Sequence, residues 1–256
     1  MSETKLVFLG TGTSQGVPMI GCGCKVCRSE DSKDKRLRSS VYVEHDGLRI
    51  LVDAGPDFRY QMLRAGISTV DGILLTHNHK DHTGGLDDIR AFNYHEKKAT
   101  QIYCEKYVED SLRMEYSYVF AEKKYPGIPE WSINIIDNNP FTINGIKIIP
   151  IRGMHYKLPV LGYRFGNIAY CTDMNHIPEE EFSKLKGLEH FVINCVRRGR
   201  HISHYSLEEA VEMARKVGAR HTWLTHLSHQ LPVYEELSRE LPEGIRPAFD
   251  GLVIEA

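Results

Sequence analysis

The densest chemistry in the sequence is Thr76-His77-Asn78-His79-Lys80-Asp81-His82, just past the apolar run Ile73-Leu74-Leu75. A buried strand cannot hide several imidazoles and a carboxylate, but a loop at its end can present them together. Neutral imidazoles with a carboxylate suit zinc or manganese. Four such side chains (His77, His79, Asp81 and His82) within six residues point to two ions rather than one. Three further candidates stand in similar places: His155 after residues 146–151, Asp173 after 168–172 and His226 after 222–225. Singly, each reads as an ordinary polar residue; together they supply what the first cluster lacks. Asp53, in Leu51-Val52-Asp53-Ala54-Gly55, has two readings. It orients ligands, or it accepts backbone donors in a turn.

A second group is Cys22-Gly23-Cys24-Lys25-Val26-Cys27. Three thiols in six residues, in a chain whose start lacks a secretion signal, read as metal binding before disulfide. A closed tetrahedral zinc site needs a fourth ligand, and the residues leave His229, Cys104, Cys171 and Cys195 open for it. Those three cysteines lie in or beside apolar runs, where a thiol behaves as a small hydrophobe. Gly10, Gly12 and Gly16 do not have the dinucleotide spacing, and Val17-Pro18 follows where a helix would be needed. No Gly-Lys-Ser/Thr phosphate loop and no His-Glu-x-x-His zinc helix occurs.

The elements that must position these groups follow from periodicity and turn chemistry. Asp46-Gly47, Asn144-Gly145 and Gly166-Asn167 each separate two apolar stretches and predict hairpins. Strands are expected at 5–9, 72–76, 190–196 and 221–225, and helices at 56–65 and 105–120. Ser206 with Glu209 forms a capping box for a helix over 207–217, ended by Gly218. Residues 116–140 are expected to be an irregular insertion of the kind that shapes a substrate pocket. Strands alternating with helices late in the chain, and hairpins in its middle, fit two sheets between helices within one domain over 1–256.

Composition narrows the classes. With 256 residues, 41% of them hydrophobic, the chain can bury a large core. Thirty-two basic against thirty-four acidic side chains argue against a broadly basic nucleic-acid binder. No apolar run is long enough to span a membrane. The first residues lack a signal-peptide core, so a cytoplasmic location is expected.

The His-x-His-x-Asp-His run, with Asp53 upstream and His155, Asp173 and His226 downstream, resembles the metallo-β-lactamase fold over essentially the whole chain. The resemblance implies an α/β four-layer αββα sandwich. It also implies one ion held by His77, His79 and His155, a second by Asp81, His82 and His226, and Asp173 bridging them. The glycine loop, the cysteine cluster and His226-Leu227-Ser228-His229-Gln230 are similar to the PhnP-like phosphodiesterase branch. From that branch come a Cys22, Cys24, Cys27 and His229 structural zinc and a homodimer. His204-Tyr205-Ser206-Leu207-Glu208-Glu209 is similar to a tRNase Z motif whose histidine gives a proton to the leaving group.

The expected function is therefore cleavage of a small, cyclic ribose phosphate or nucleotide. The attacking hydroxide would be held between two zinc or manganese ions, with Asp81 orienting it and His204 as general acid. Two divalent ions against Asp81, Asp173 and that hydroxide leave about one positive charge, which suits a phosphodiester. Arg197, Arg198 and Arg200 either contact phosphate or are solvated. The alternatives are a tRNA 3′-end nuclease, a thioester or lactam hydrolase, and a metal-binding protein without turnover.

Overall fold

A computed structural model describes residues 3–256. Its first half contributes β1 (Thr4–Gly10), β2 (Ser40–His45), β3 (Leu48–Val52), β4 (Gly72–Leu74), β5 (Thr100–Cys104) and β6 (Trp131–Ile135). The second half contributes β7 (Phe141–Ile143), β8 (Ile146–His155), β9 (Leu158–Phe165), β10 (Ile168–Cys171), β11 (His190–Asn194), β12 (His221–Thr225), β13 (Ile245–Pro247) and β14 (Val253–Glu255). Two seven-stranded sheets result, in the orders β14-β1-β2-β3-β4-β5-β6 and β13-β12-β11-β10-β9-β8-β7. Each begins with antiparallel hairpins and turns parallel, from β3 to β6 in one and from β10 to β13 in the other.

Alternation along the strands sorts the core into three layers. Ile50 and Val52 face Ile148, Tyr163 and Tyr170 between the sheets. Leu51 points the other way, onto the helices α2 (Phe58–Ala65), α4 (Arg90–Glu96) and α5 (Lys106–Glu115). Cys171, Phe191, Ile193 and Leu224 of the second sheet pack on α6 (Leu207–Val217) and α7 (Tyr234–Glu240). The order helix, sheet, sheet, helix is the αββα sandwich, and burial of both sheet faces explains the nearly unbroken apolar strands. Two short helices, α1 (Lys25–Arg28) and α3 (Lys80–Thr83), carry residues of the cysteine and histidine motifs.

Tertiary contacts trim several expected elements. The helix expected over 105–120 ends at Glu115, because the Tyr116 hydroxyl donates to the Thr83 carbonyl and its ring packs on Trp131. Within the stretch expected to be irregular, residues 131–135 form β6, parallel to β5. The strand expected over 72–76 stops at Leu74, since Asp53 takes the Thr76 amide. The capping box of α6 is present, with Ser206 and Glu209 bonded reciprocally, so Glu209 is occupied at the helix start.

Candidate metal centre

The parallel strands set the geometry. β3 pairs with β4 so that Val52 lies opposite Leu74, which puts Asp53 beside the 75–82 loop. β10, β11 and β12 run parallel in register, so Asp173 and His226 emerge at one end of the second sheet. A Thr76 carbonyl that accepts from the Leu161 amide, and a Leu75 carbonyl that accepts from the Tyr163 hydroxyl, hold the two sheets together at this rim. Asp53, Asp173 and His226 all adopt positive φ, at 63°, 57° and 54°. Such backbone is costly for residues with a Cβ and collects where the surroundings impose it.

Ring nitrogens of His77, His79 and His155 lie within 4.8 Å of one another. Asp81, His82, Asp173 and His226 form a second such group, and His155, Asp173 and His204 a third. Asp173 is thus the hub. Its Oδ2 is 3.2 Å from His82 Nε2, and its Oδ1 is 3.1 Å from His226 Nε2 and 3.7 Å from His204 Nδ1. Asp81 Oδ2 lies 3.3 Å from His82 Nε2 and 3.7 Å from His226 Nε2.

Residues behind the cluster aim these nitrogens. Asp53 accepts from the Thr76 amide and hydroxyl, both at 2.9 Å, and lies 2.7 Å from His82 Nδ1. His82 therefore shows Nε2 to the cluster, and both readings of Asp53 hold together. His155 Nδ1 lies 2.8 Å from the Ser203 carbonyl, which leaves its Nε2 for the cluster. Asn194, which the sequence reading did not single out, receives the Met174 amide and donates to the Met174 carbonyl, locking the turn beside Asp173. Its signal was an amide at the end of an otherwise apolar run.

Burial and two carboxylates set the electrostatics of the cluster. Burial pushes the His77 imidazole well below its usual range, so it is neutral. Burial would also lower His226, but Asp173 and Asp81 outweigh it and lift His226 to about 9. His82 is lifted well above its usual range, against burial, by Asp173, Asp81 and Asp53. Asp81 and Asp173 are held well below the carboxylate range by these histidines despite burial. Asp81 and Asp173 thus favour positive charge among these imidazoles, which a pair of divalent cations would supply. His77 Nε2 is buried without a hydrogen-bond partner, and His82 Nε2 and His226 Nε2 face only the two carboxylates. Imidazole nitrogens converging in this way around two carboxylates fit a pair of divalent ions.

His204 sits against this cluster, its ring 4.5 Å from His155 and 4.6 Å from His226. Burial, and then the charge on His226, drives it down to about 2, and its Nδ1 has no partner. His201 packs on it at 5.1 Å. Of the arginines, Arg198 pairs with Glu240, and Arg197 donates to the Arg200 carbonyl.

The cysteine cluster closes on His229. Cys22 Sγ and Cys24 Sγ lie 3.3 and 3.5 Å from His229 Nδ1, and Cys27 completes the group. Cys104, Cys171 and Cys195 are buried elsewhere, and none of the six cysteines is in a disulfide. The Cys27 amide and His229 lower Cys24 to about 6, which favours the thiolate. Burial raises Cys27 to about 11, and a cation would offset that cost. These donors fit a closed zinc site.

Residues 48–227 match the model of the beta-lactamase superfamily domain. The chain is 44% identical over 251 residues to an octanoyltransferase of Porphyromonas gingivalis, covering 97% of this chain and 51% of that protein. It thus spans about half the length of that relative. A ribonuclease Z of Pyrobaculum neutrophilum is 24% identical, over 96% of this chain and 94% of its own. The crystal structure of a diphosphatase from the PhnP family superposes with a TM-score of 0.93 at 39% identity, covering 100% and 98% of the two chains.

Proposed function

The chain belongs to the beta-lactamase superfamily as a metal-dependent hydrolase, and we propose that it cleaves a small phosphodiester or diphosphate at the 77–226 cluster. The observation that carries this reading is the position of Asp173, grouped with Asp81, His82 and His226 on one side and with His155 and His204 on the other. The likeness to a PhnP-family diphosphatase supports the substrate class. The candidate substrates are cyclic ribose phosphates and nucleotides.

His77, His79 and His155 would hold one divalent ion, Asp81, His82 and His226 the other, and Asp173 both. When bound, zinc or manganese ions supply Lewis acidity toward the phosphoryl oxygens and acidify a water. Asp81 would serve as a ligand and would also accept a hydrogen bond that orients the attacking water. His204 Nδ1, buried and without a partner, donates a proton to the leaving oxygen. An anionic diester beside this imidazole favours its protonated form against the burial that otherwise keeps it neutral. Cys22, Cys24, Cys27 and His229 would bind a structural zinc. The chain is read as a single hydrolase unit over 1–256, with residues 116–130 as a loop insertion before β6, and it acts as a homodimer in the cytoplasm. No helix among the described residues is long and apolar enough to cross a membrane.

Octanoyl transfer is not assigned to this chain, because about half of that relative lies outside the match. The full-length likeness to ribonuclease Z keeps one second reading, precursor-tRNA cleavage. A panel of ribose cyclic phosphates, nucleoside diphosphate esters, bis-p-nitrophenyl phosphate, thioesters and precursor tRNA, run with zinc and with manganese, tests both. Faster turnover of precursor tRNA than of every small diester would replace the leading reading.

A further inference from the structure

A cavity of about 880 Å³ opens between α2, α4 and residues 127–130, and none of its lining residues belongs to the histidine–aspartate cluster or the cysteine cage. Its floor is apolar, built on Phe58, Met62, Ile67 and Phe92, with Phe58 and Phe92 edge to face at 5.7 Å. The wall is preformed. Asn93 donates to the Glu130 carbonyl at 3.0 Å and accepts from the Glu130 amide at 2.9 Å, buckling α4 to the 127–130 loop.

Two features mark it as a binding site rather than a packing gap. Leu63 and Tyr94, both at the cavity, are 63% and 72% exposed, so large apolar side chains are left without cover. The lining also carries Arg59, Arg90, Lys97 and Lys98 against only Asp88 and Glu130. Arg90 already pairs with Asp87, and Lys98 with Glu96. Arg59 and Lys97 have no carboxylate partner among the described residues, and Lys97 lies over the Tyr94 ring at 4.3 Å. An apolar floor below unpaired cations complements a ligand with a hydrocarbon body and an anionic head.

We propose that this cavity binds a medium-chain fatty carboxylate, its chain on Met62, Leu63, Ile67 and Phe92 and its head at Arg59 and Lys97. The size fits a small-molecule pocket, which usually encloses several hundred cubic ångströms. Its wall also reaches the catalytic loop, because Phe58 packs against Gly85, three residues beyond His82.

Isothermal titration of the full, metal-loaded chain with decanoate, below its micellar range, tests this. Decyltrimethylammonium supplies the same tail with the opposite charge, and acetate the head alone. Decanoate should saturate one site per chain, with both controls at least about tenfold weaker, the loss expected when a charged contact is missing. The double variant Arg59→Glu/Lys97→Glu should weaken decanoate by a similar factor while its circular dichroism and diester hydrolysis stay unchanged. No saturable binding, equal binding of the two amphiphiles, or undiminished affinity in the double variant would overturn the proposal. So would a dimer in sedimentation that Leu63→Asp dissociates, since a second copy would then cover the face.

Discussion

The histidine–aspartate cluster draws its candidate ligands from positions 77 to 226, whereas three of the four cage residues come from residues 22–27. Most of the cluster is sunk at the rim of both sheets, with His77, His82, Asp173 and His226 at 2% exposure or less, although Asp81 is half-buried and His79 exposed. The cage lies near the surface on α1 and its flanking loop, and Cys22 and Cys24 remain partly exposed. A spread-out site needs the whole sandwich to hold it, and it needs Asp53, Thr76, Ser203 and Asn194 behind it to aim its ligands. A local site needs only a turn and one distant partner. The two meet at residues 226–229, because His226 belongs to the cluster and His229 to the cage. Between them the Leu227 amide donates to the Thr11 carbonyl, and the Ser228 hydroxyl to the Val196 carbonyl. The 226–229 segment therefore clips the glycine loop to the end of β12 between the two sites.

This contrast is open to attack from the hub outward. Asp173→Ala should remove both ions and lower diester kcat/KM by at least about 10³-fold. Elemental analysis should then find the cage metal alone, and a variant that kept all its metals would deny Asp173 its bridging place. His204→Ala should slow an alkyl phosphodiester by about 10²- to 10⁴-fold. A p-nitrophenyl diester, whose leaving group needs no proton, should slow far less, and equal losses on both would strip His204 of the acid role. Asp53→Asn removes the charge that orients His82. Its effect should be a roughly 10- to 100-fold loss of metal affinity, read by chelator competition. Unaltered affinity would reduce Asp53 to a turn residue. The smallest effect on turnover is expected from Cys24→Ser. One metal per chain should be lost and the melting temperature should fall by several degrees, while diester cleavage partly survives. Complete loss of cleavage in a folded, dinuclear variant would show that the clip at 226–229 governs the catalytic rim.

Much of this was legible beforehand because the governing physics is local. The 77–82 run follows an apolar strand, and the structure places it at a strand end. Asp46-Gly47 and Asn144-Gly145 turn their hairpins with positive φ at both residues, as such pairs do. The α6 capping box is a four-residue arrangement and formed as read. What escaped depended on distant partners. β5 and β6 are short, and parallel pairing alone defines them. Tyr116 leaves its helix for a carbonyl 33 residues away. Asn194 earns its place only against Met174, on a neighbouring strand's loop.

By itself the chain's sequence determined which side chains could bind cations, where hairpins turn and how α6 starts, since these depend on residue type within a few positions. Only the tertiary structure placed His229, rather than Cys104, Cys171 or Cys195, beside the three thiols, and brought Asp173 together with His82 and His226 on one side and His155 and His204 on the other. Those outcomes rest on strand order and register, which are settled by burying both faces of two sheets at once and cannot be read from any short stretch of chain.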